Sequence, residues 1–343
     1  MRRFFPILLL AFCMFLLLSV GTMYLSSSAG KVSQDQREQV IVYTTLPVEH
    51  IALLTQEYER TNQIRVRLVP VDEDEIASRM QQESANPQAD LVLGSQGTLE
   101  KLRLLGFLKA VSTEQTDIIP AQFKDPDQYW TGLWFDPIVF TASRDSLLSS
   151  KPLPSNWSDL GKQQEWKVSM TDFLAADASA NLLYTLTMDK GELQTLALLR
   201  DIHPRVIKYA KFLSTPVRMV GMGECDLAVA VQSETMRYQA ENFPVIMIYP
   251  EDGTAYLLTG GALIKDADQV SESLQFLDWL LQHEAHLTLE KNGYYFTSVN
   301  PELKKYRDYR QQEVKVFRKG VFYTPEERRK LLDKWVQTVR LTK

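Results

Sequence analysis

The sequence predicts an α/β protein of two lobes, each a mainly parallel sheet flanked by helices, with a hinge between them. Three observations carry that expectation. From Val40 to Leu105, short apolar strands alternate with amphipathic segments in β-α-β-α-β-α order, the pattern of a parallel sheet covered by helices. The alternation resumes over roughly Thr141 to Asp252. Between the two, YWTGLWFDPIVFTASRD (129–145) is aromatic and β-rich and reads as a crossing from one unit to the other. A chain of 343 residues is long enough for two domains with cores of their own.

The elements follow in order. Val40–Tyr43 is a short β-branched strand. HIALLTQEYERTN (50–62) places Ile51, Leu54 and Tyr58 at helical spacing and closes near Asn62. Ile64–Val69 is a second strand, Glu73–Glu83 a helix with Ile76 and Met80 four apart, and ADLVLGS (89–95) a third strand, apolar enough to be buried on both faces. Leu99–Leu105 is a helix closed by Gly106. In the second unit, WKVSMTD (166–172) is a strand ending in polar residues, and Ser179–Met188 and Leu193–Ile202 are helices. VIKYAKF (206–212) and DLAVAVQSE (226–234) bracket a further helix-sized segment, and VIMIYPEDGT (245–254) is a strand running into a turn. TGGALIKDA returns to strand character, and Val270–Lys291 reads as one long amphipathic helix. The tail TPEERRKLLDKWVQTVR is a strong helix, with Thr324 as N-cap, Pro325 at the first helical position and Glu327 completing a capping box. The expected division is therefore lobe 1 from 40–140 plus about 255–300, lobe 2 from 141–254, and a helical extension over 301–343.

The N-terminus is a membrane-targeting segment. Met-Arg-Arg precedes an uncharged apolar run from Phe4 to Leu25, followed by SSSAGK, with Ser27 and Ala29 small enough for cleavage. The run also has the length of a bilayer span, so residues 1–29 read either as a cleaved signal or as a retained anchor, and 30–39 as a polar linker. In both cases the body lies across a membrane from the cytoplasm. A formal net charge of -5 gives no footprint for nucleic acid. The basic clusters KKYRDYR (304–310) and ERRKLLDK (327–334) are interleaved with acids and read as solvated helix faces. Of the two cysteines, Cys13 lies in the apolar run, so the body holds only Cys225 and no internal disulfide; Cys225 reads as a small buried residue.

In open α/β sheets, ligands collect at the carboxyl ends of strands, where free N–H groups and helix dipoles favour anions. Small hydroxyl residues recur at such ends: Thr44–Thr45, Gly94–Ser95 with Gln96, Ser169–Thr171 with Ser179 at the next helix, Gln232–Ser233, and Gly253–Thr254. An ordinary cap or turn explains any one of them; their recurrence in one chain points to a ligand cleft. Other chemistries find little support. HEAH (283–286) spaces its histidines by three rather than four and has no accompanying ligand cluster. There is no Gly-x-Ser-x-Gly elbow, phosphate loop or dinucleotide fingerprint, and VDEDE (71–75) sits at a helix start, where acids are expected. Tyr294–Tyr295 is a phenol pair of the kind that binds ferric iron, though its surroundings, NGYYFTSVNP, suit packing.

Laid out in this order, the segments from about Val40 to Pro301 resemble the periplasmic solute-binding proteins of ABC importers, in the branch that includes ferric-iron, 2-aminoethylphosphonate and sugar-phosphate binders. The matching stretches are VIVYTTLPVEHIALLTQEYERTNQIRVRLV, NPQADLVLGS, LPSNWSDL, WKVSMTD, MVGMGECDLAVAV, YPEDGT and LQFLDWLLQHEAHLTLEKNGYY. The resemblance implies a type II two-lobed fold closing on a ligand at a hinge, with Thr44, Thr45, Ser95, Thr171, Gln232 and Ser233 at the cleft and Arg218 either as an added charge there or as a surface residue. Iron binders of this kind carry adjacent tyrosines after the segment matching DLAVAV; Gln232 and Ser233 stand there, which disfavours iron. The candidate ligand-binding residues are Thr44, Thr45, Ser95, Gln96, Thr171, Ser179, Gln232, Ser233 and Thr254. The implied function is capture of a small anionic solute (phosphorylated, phosphonate or carboxylate) for an ABC permease, without catalysis, cofactor or metal. The alternatives are a regulatory protein that senses a phosphoglycerate-like solute for a membrane sensor kinase, and a ferric-iron binder.

Overall fold

A computed structural model describes residues 39–148, 152–162, 166–317 and 324–342; the signal or anchor, and the linker up to residue 38, lie outside the described residues. The strands are β1 (Gln39–Thr44), β2 (Arg65–Pro70), β3 (Leu91–Ser95), β4 (Leu108–Lys109), β5 (Thr131–Ser143), β6 (Val168–Thr171), β7 (Val206–Ala210), β8 (Leu227–Val231), β9 (Val245–Ile248), β10 (Tyr256–Ile264) and β11 (Thr297–Ser298). The α-helices are α1 (Val48–Thr61), α2 (Ile76–Gln82), α3 (Gln96–Leu104), α4 (Glu114–Asp117), α5 (Asp159–Lys162), α6 (Asp177–Lys190), α7 (Glu192–Ile202), α8 (Ser214–Gly221), α9 (Gln232–Ala240), α10 (Val270–Leu280), α11 (His283–Lys291), α12 (Lys304–Gln311) and α13 (Pro325–Trp335).

Lobe 1 grows from three parallel strands in the order β2-β1-β3. β1 is flanked on both sides, and its β-branched run is buried accordingly. β2 is the edge: Arg65 and Arg67 face out, Val66 faces in, and Pro70, which has no N–H to donate, ends it. Antiparallel β10 and then β5 extend the sheet beyond β3. The β10–β5 pair shifts register between Thr259 and Gly260, and a Cβ on Gly260 would stand 2.4 Å from the carbonyl oxygen of Thr131, so only glycine allows this approach. α1 covers the sheet through Ile51, Leu54 and Tyr58, the residues its spacing marks, and Asn62 caps its last turn by bonding the Tyr58 carbonyl. Tyr43, Leu93, Phe135 and Phe276 belong to the core of this lobe.

β5 belongs to both lobes. Its first half, as far as Pro137, pairs with β10; from Ile138 onward it pairs with β8 on one side and β9 on the other. Parallel β6 and β7 complete the lobe 2 sheet in the order β9-β5-β8-β6-β7. Phe140, Trp157, Phe173 and Leu227 fill one core, and Val217, Val220, Cys225 and Tyr238 a smaller one. Cys225 is buried there, and that burial, with help from Asp226 and Glu224, pushes its thiol up to about 12, leaving it unreactive. The chain returns to lobe 1 between β9 and β10, where Trp157 donates its ring N–H to the Gly253 carbonyl at 2.8 Å.

One feature differs from the sequence expectation. The single helix expected over Val270–Lys291 is two helices, broken at Leu281–Gln282 without Gly or Pro. Leu281 is fully buried, and its freed carbonyl accepts a 2.9 Å bond from Asn300 Nδ2, so a distant side chain stabilises the break. The extension does not stay with one lobe. Tyr306 and Tyr309 of α12 pack in the lobe 1 core, whereas Leu331 and Trp335 of α13 pack in the lobe 2 core, with Val316 bridging to Thr254 between them. The capping box at Thr324 and Glu327 is present as its sequence indicates.

Candidate functional site

The strand ends of lobe 1 come first. Thr44 is the last residue of β1 and is buried; its Oγ1 accepts the Leu46 N–H at 3.1 Å. Thr45 donates its N–H to Leu93 at 3.1 Å, and its side chain lies over Gly94, where a Cβ would come within 3.0 Å of Oγ1. Ser95 is the N-cap of α3: its Oγ accepts the Thr98 N–H at 3.1 Å. At the same helix end, the hydroxyls of Ser95 and Thr98 both lie within donating distance of one oxygen of Glu73, at 3.0 and 2.5 Å. A carboxylate therefore sits on the positive end of α3, held by two hydroxyls. Gln96 follows, with its Nε2 shielded from solvent and without a hydrogen-bond partner.

Beside Thr44 and Thr45 lies an open depression of about 700 Å³. Its far side carries Asp72, Glu75 and Glu83 around Arg79. Among the described residues, Asp72 and Glu75 have no ion pair there, and Arg79 pairs with Glu83 at 3.1 Å and stacks over the ring of Tyr43. Negative charge thus collects in the turn between β2 and α2, and donors collect at the start of α3.

The second group lies in the crossover and centres on a residue the sequence reading missed. Asp136, in β5 immediately before Pro137, accepts the Ser233 N–H at 2.9 Å and its hydroxyl at 2.5 Å, capping lobe 2 helix α9 from lobe 1. Burial raises the Asp136 carboxyl to about 7; the two Ser233 bonds oppose that shift and the charge of Glu234 adds to it. Gln232 donates to Thr297 in β11 at 2.8 Å and accepts from the Tyr249 hydroxyl at 2.6 Å. Thr254 is fully buried and gives its hydroxyl to the Ile138 carbonyl at 2.6 Å. In this arrangement the hydroxyl and amide groups of Gln232, Ser233 and Thr254 are spent on joining the lobes.

The third group is in lobe 2. Thr171 ends β6 and is buried, and Ser179 directs its hydroxyl to the carbonyls of Asp172 and Ala176, at 2.7 Å each. Arg218 is exposed on α8. Among the described residues, no hydrogen bond links this group to the lobe 1 strand ends.

The remaining motifs serve packing. The ring of Tyr294 lies 4.1 Å from that of His50 and stacks with Phe296. Of HEAH, His283 is exposed, while His286 is buried edge-on to Trp134, its pKa driven down to about 3, first by burial and then by Lys305 and His283. Among the described residues no group of three or more His, Cys, Asp or Glu is arranged to hold a metal ion.

The family model of the bacterial extracellular solute-binding proteins matches residues 86–313. An uncharacterized protein of Haemophilus influenzae is 24% identical over 95% of this chain and 98% of its own. A probable ABC transporter periplasmic-binding protein of Sinorhizobium fredii is 26% identical over 62% of each chain. Among solved structures, the periplasmic binding protein AfuA of Actinobacillus pleuropneumoniae, with exogenous fructose-6-phosphate bound, superposes with a TM-score of 0.69 at 20% identity, over 90% of this chain and 100% of its own. The open ferric iron-binding protein A of Mannheimia haemolytica gives 0.67 at 19% identity, over 88% and 98%. These likenesses establish a type II periplasmic-binding fold; the ligands they carry are their own.

Proposed function

Because the chain belongs to the bacterial extracellular solute-binding proteins, we propose that it binds a small anionic solute between its lobes in the periplasm and passes it to an ABC permease. The observation that carries the anionic choice is the Glu73 carboxylate seated on α3, where the Ser95 and Thr98 hydroxyls converge on one oxygen. A phosphoryl, phosphonate or carboxylate oxygen has the same requirements and takes the same seat, displacing Glu73. Thr45, whose side chain lies over Gly94, and Gln96, which follows Ser95, would contact the solute from lobe 1, and Thr171 at the end of β6 is the lobe 2 residue that closure would bring to it. The choice of an oxyanion over ferric iron is supported by Gln232 and Ser233, which occupy the start of α9 with an amide and a hydroxyl rather than phenols.

The proposed mechanism is closure without chemistry. The lobes are joined through β5 at Pro137–Ile138, through Tyr249–Ala255 and through the segment that leads to α13. A solute that touches both lobes binds the closed form more tightly than the open one, and that difference moves the population toward closure. The closed surface is what the permease reads.

Calorimetric titration tests the assignment, with fructose-6-phosphate, inorganic phosphate and succinate as anions, fructose as the neutral control and ferric citrate as the iron source. At least one anion is expected to bind, fructose is not, and a protein carrying Thr45→Val with Ser95→Ala should bind that anion at least about tenfold more weakly. Binding of iron with no response to free citrate or to any other anion would overturn the assignment.

A further inference from the structure

We propose that the tail helix α13 is a third wall of the solute cleft and that Arg328 supplies the guanidinium that holds the solute's anionic group. The proposal rests on the oxyanion seat at α3 and adds to it a residue from the far end of the chain. α13 belongs to lobe 2 by its packing: Leu331 and Trp335 are buried in that core, and the Arg328 guanidinium carbon lies 5.5 Å from the centre of the Tyr184 ring on α6. The guanidinium nevertheless reaches lobe 1. A Cβ built on Gly97, the second residue of α3, would stand 3.1 Å from Arg328 Nη2, 3.9 Å from Nη1 and 3.7 Å from Ser95 Oγ. That one point over Gly97 is therefore shared by the lobe 2 cation and the lobe 1 helix end, and the missing side chain leaves it open.

Two donors, one on Arg328 and one at the start of α3, have no partner among the described residues. Arg328 Nε is shielded from solvent without a hydrogen-bond partner, as is Nε2 of Gln96, the residue before Gly97. Among the described residues no carboxylate pairs with Arg328, whereas its helix neighbours Lys330 and Lys334 each have one. Shielded donors without acceptors are costly, and a guanidinium fork is matched by the paired oxygens of a carboxylate or phosphoryl group. An oxyanion at this point accepts from Arg328 on one side and replaces Glu73 on Ser95 and Thr98 on the other. It thereby ties a lobe 2 element to lobe 1, which is the linkage that closure requires.

The test is titration of the full-length protein with inorganic phosphate, fructose-6-phosphate and succinate, which also separates phosphoryl from carboxylate preference, with hydrogen exchange of residues 324–335 as a second readout. Arg328→Gln is expected to weaken binding of the preferred anion by about 10–100-fold with no change in the ligand-free melting temperature. Arg328→Lys should recover part of that loss, and exchange in α13 should slow when the anion is added to the wild type. If Arg328→Gln binds as the wild type does while Ser95→Ala loses affinity, the lobe 1 seat stands and the role of the tail is wrong. Anion binding that leaves exchange in α13 unchanged also overturns the role of the tail. A wild-type protein that binds none of the three anions overturns the oxyanion reading and this proposal together.

Discussion

The start of α3 and the start of α9 are built alike and do different work. Each follows a buried strand of the inner sheet, each places a serine at the helix end, and each has an acid from another segment bonded to that serine. At α9 the acid is Asp136, buried within β5, and the neighbouring Gln232 is bonded on both sides by Tyr249 and Thr297. At α3 the acid is Glu73, half-exposed in the turn before α2, and the neighbouring Gln96 has a shielded donor with no partner. A buried and satisfied network fixes two elements relative to each other, whereas a half-exposed acid over an incomplete set of donors is replaceable. The same local motif therefore serves as a joint in one place and as a proposed seat in the other.

The largest expected effect falls on the joint. Asp136→Ala leaves the partly buried Ser233 N–H and hydroxyl without their acceptor and should cost about 2–4 kcal/mol in urea unfolding. A cost below ~1 kcal/mol would mean that the crossover does not depend on this acid. Next in size is a pH effect. The Asp136 carboxyl, raised from 3.8 to about 7 in the folded protein, binds its proton more tightly there than in the unfolded chain. Its contribution is fully present below pH 3.8 and is lost as pH rises through about 7. The wild type should therefore lose stability relative to Asp136→Asn progressively from pH 4 to pH 7, with the difference levelling off above pH 8. Comparing the two chains is necessary because buried His286, lowered to about 3, gives the opposite slope below pH 6.5 and is common to both. A constant difference across that range would show that Asp136 is ionised throughout. The smallest expected effect is at α3: Glu73→Ala should change stability by no more than about 1 kcal/mol while raising affinity for the anion found by titration, since it removes the competing carboxylate. A loss of anion affinity would show instead that Glu73 belongs to the site.

Much of the fold was legible in the residues. Ile51, Leu54 and Tyr58 lie on the buried face of α1, as their spacing indicates, and Thr324 and Glu327 form their capping box. The strand ends carrying Thr44, Ser95, Thr171 and Gln232 were legible as well, because an apolar run stopping at a small polar residue is a local pattern. Which of those hydroxyls remain available was not. Thr254 and Ser179 look like Ser95 in the sequence, yet their hydroxyls are given to carbonyls of the crossover and of the β6–α6 loop. Asp136 left one signal, a single acid inside a long apolar strand, which such a strand tolerates only with a partner for the acid. Arg328 left none, since it lies in a run of charged residues on an exposed helix.

By itself the sequence determined the alternation of strands and helices, the two-lobed α/β class and the caps of the tail helix. These depend on backbone preference and side-chain periodicity over a few residues. Only the tertiary structure decided that Asp136 reaches Ser233, that Asn300 bonds the carbonyl freed where α10 ends, and that α13 crosses from its own lobe to place Arg328 over Gly97. Those pairings join groups far apart in the chain, and their energy exists only once the packed cores hold both partners within hydrogen-bond range.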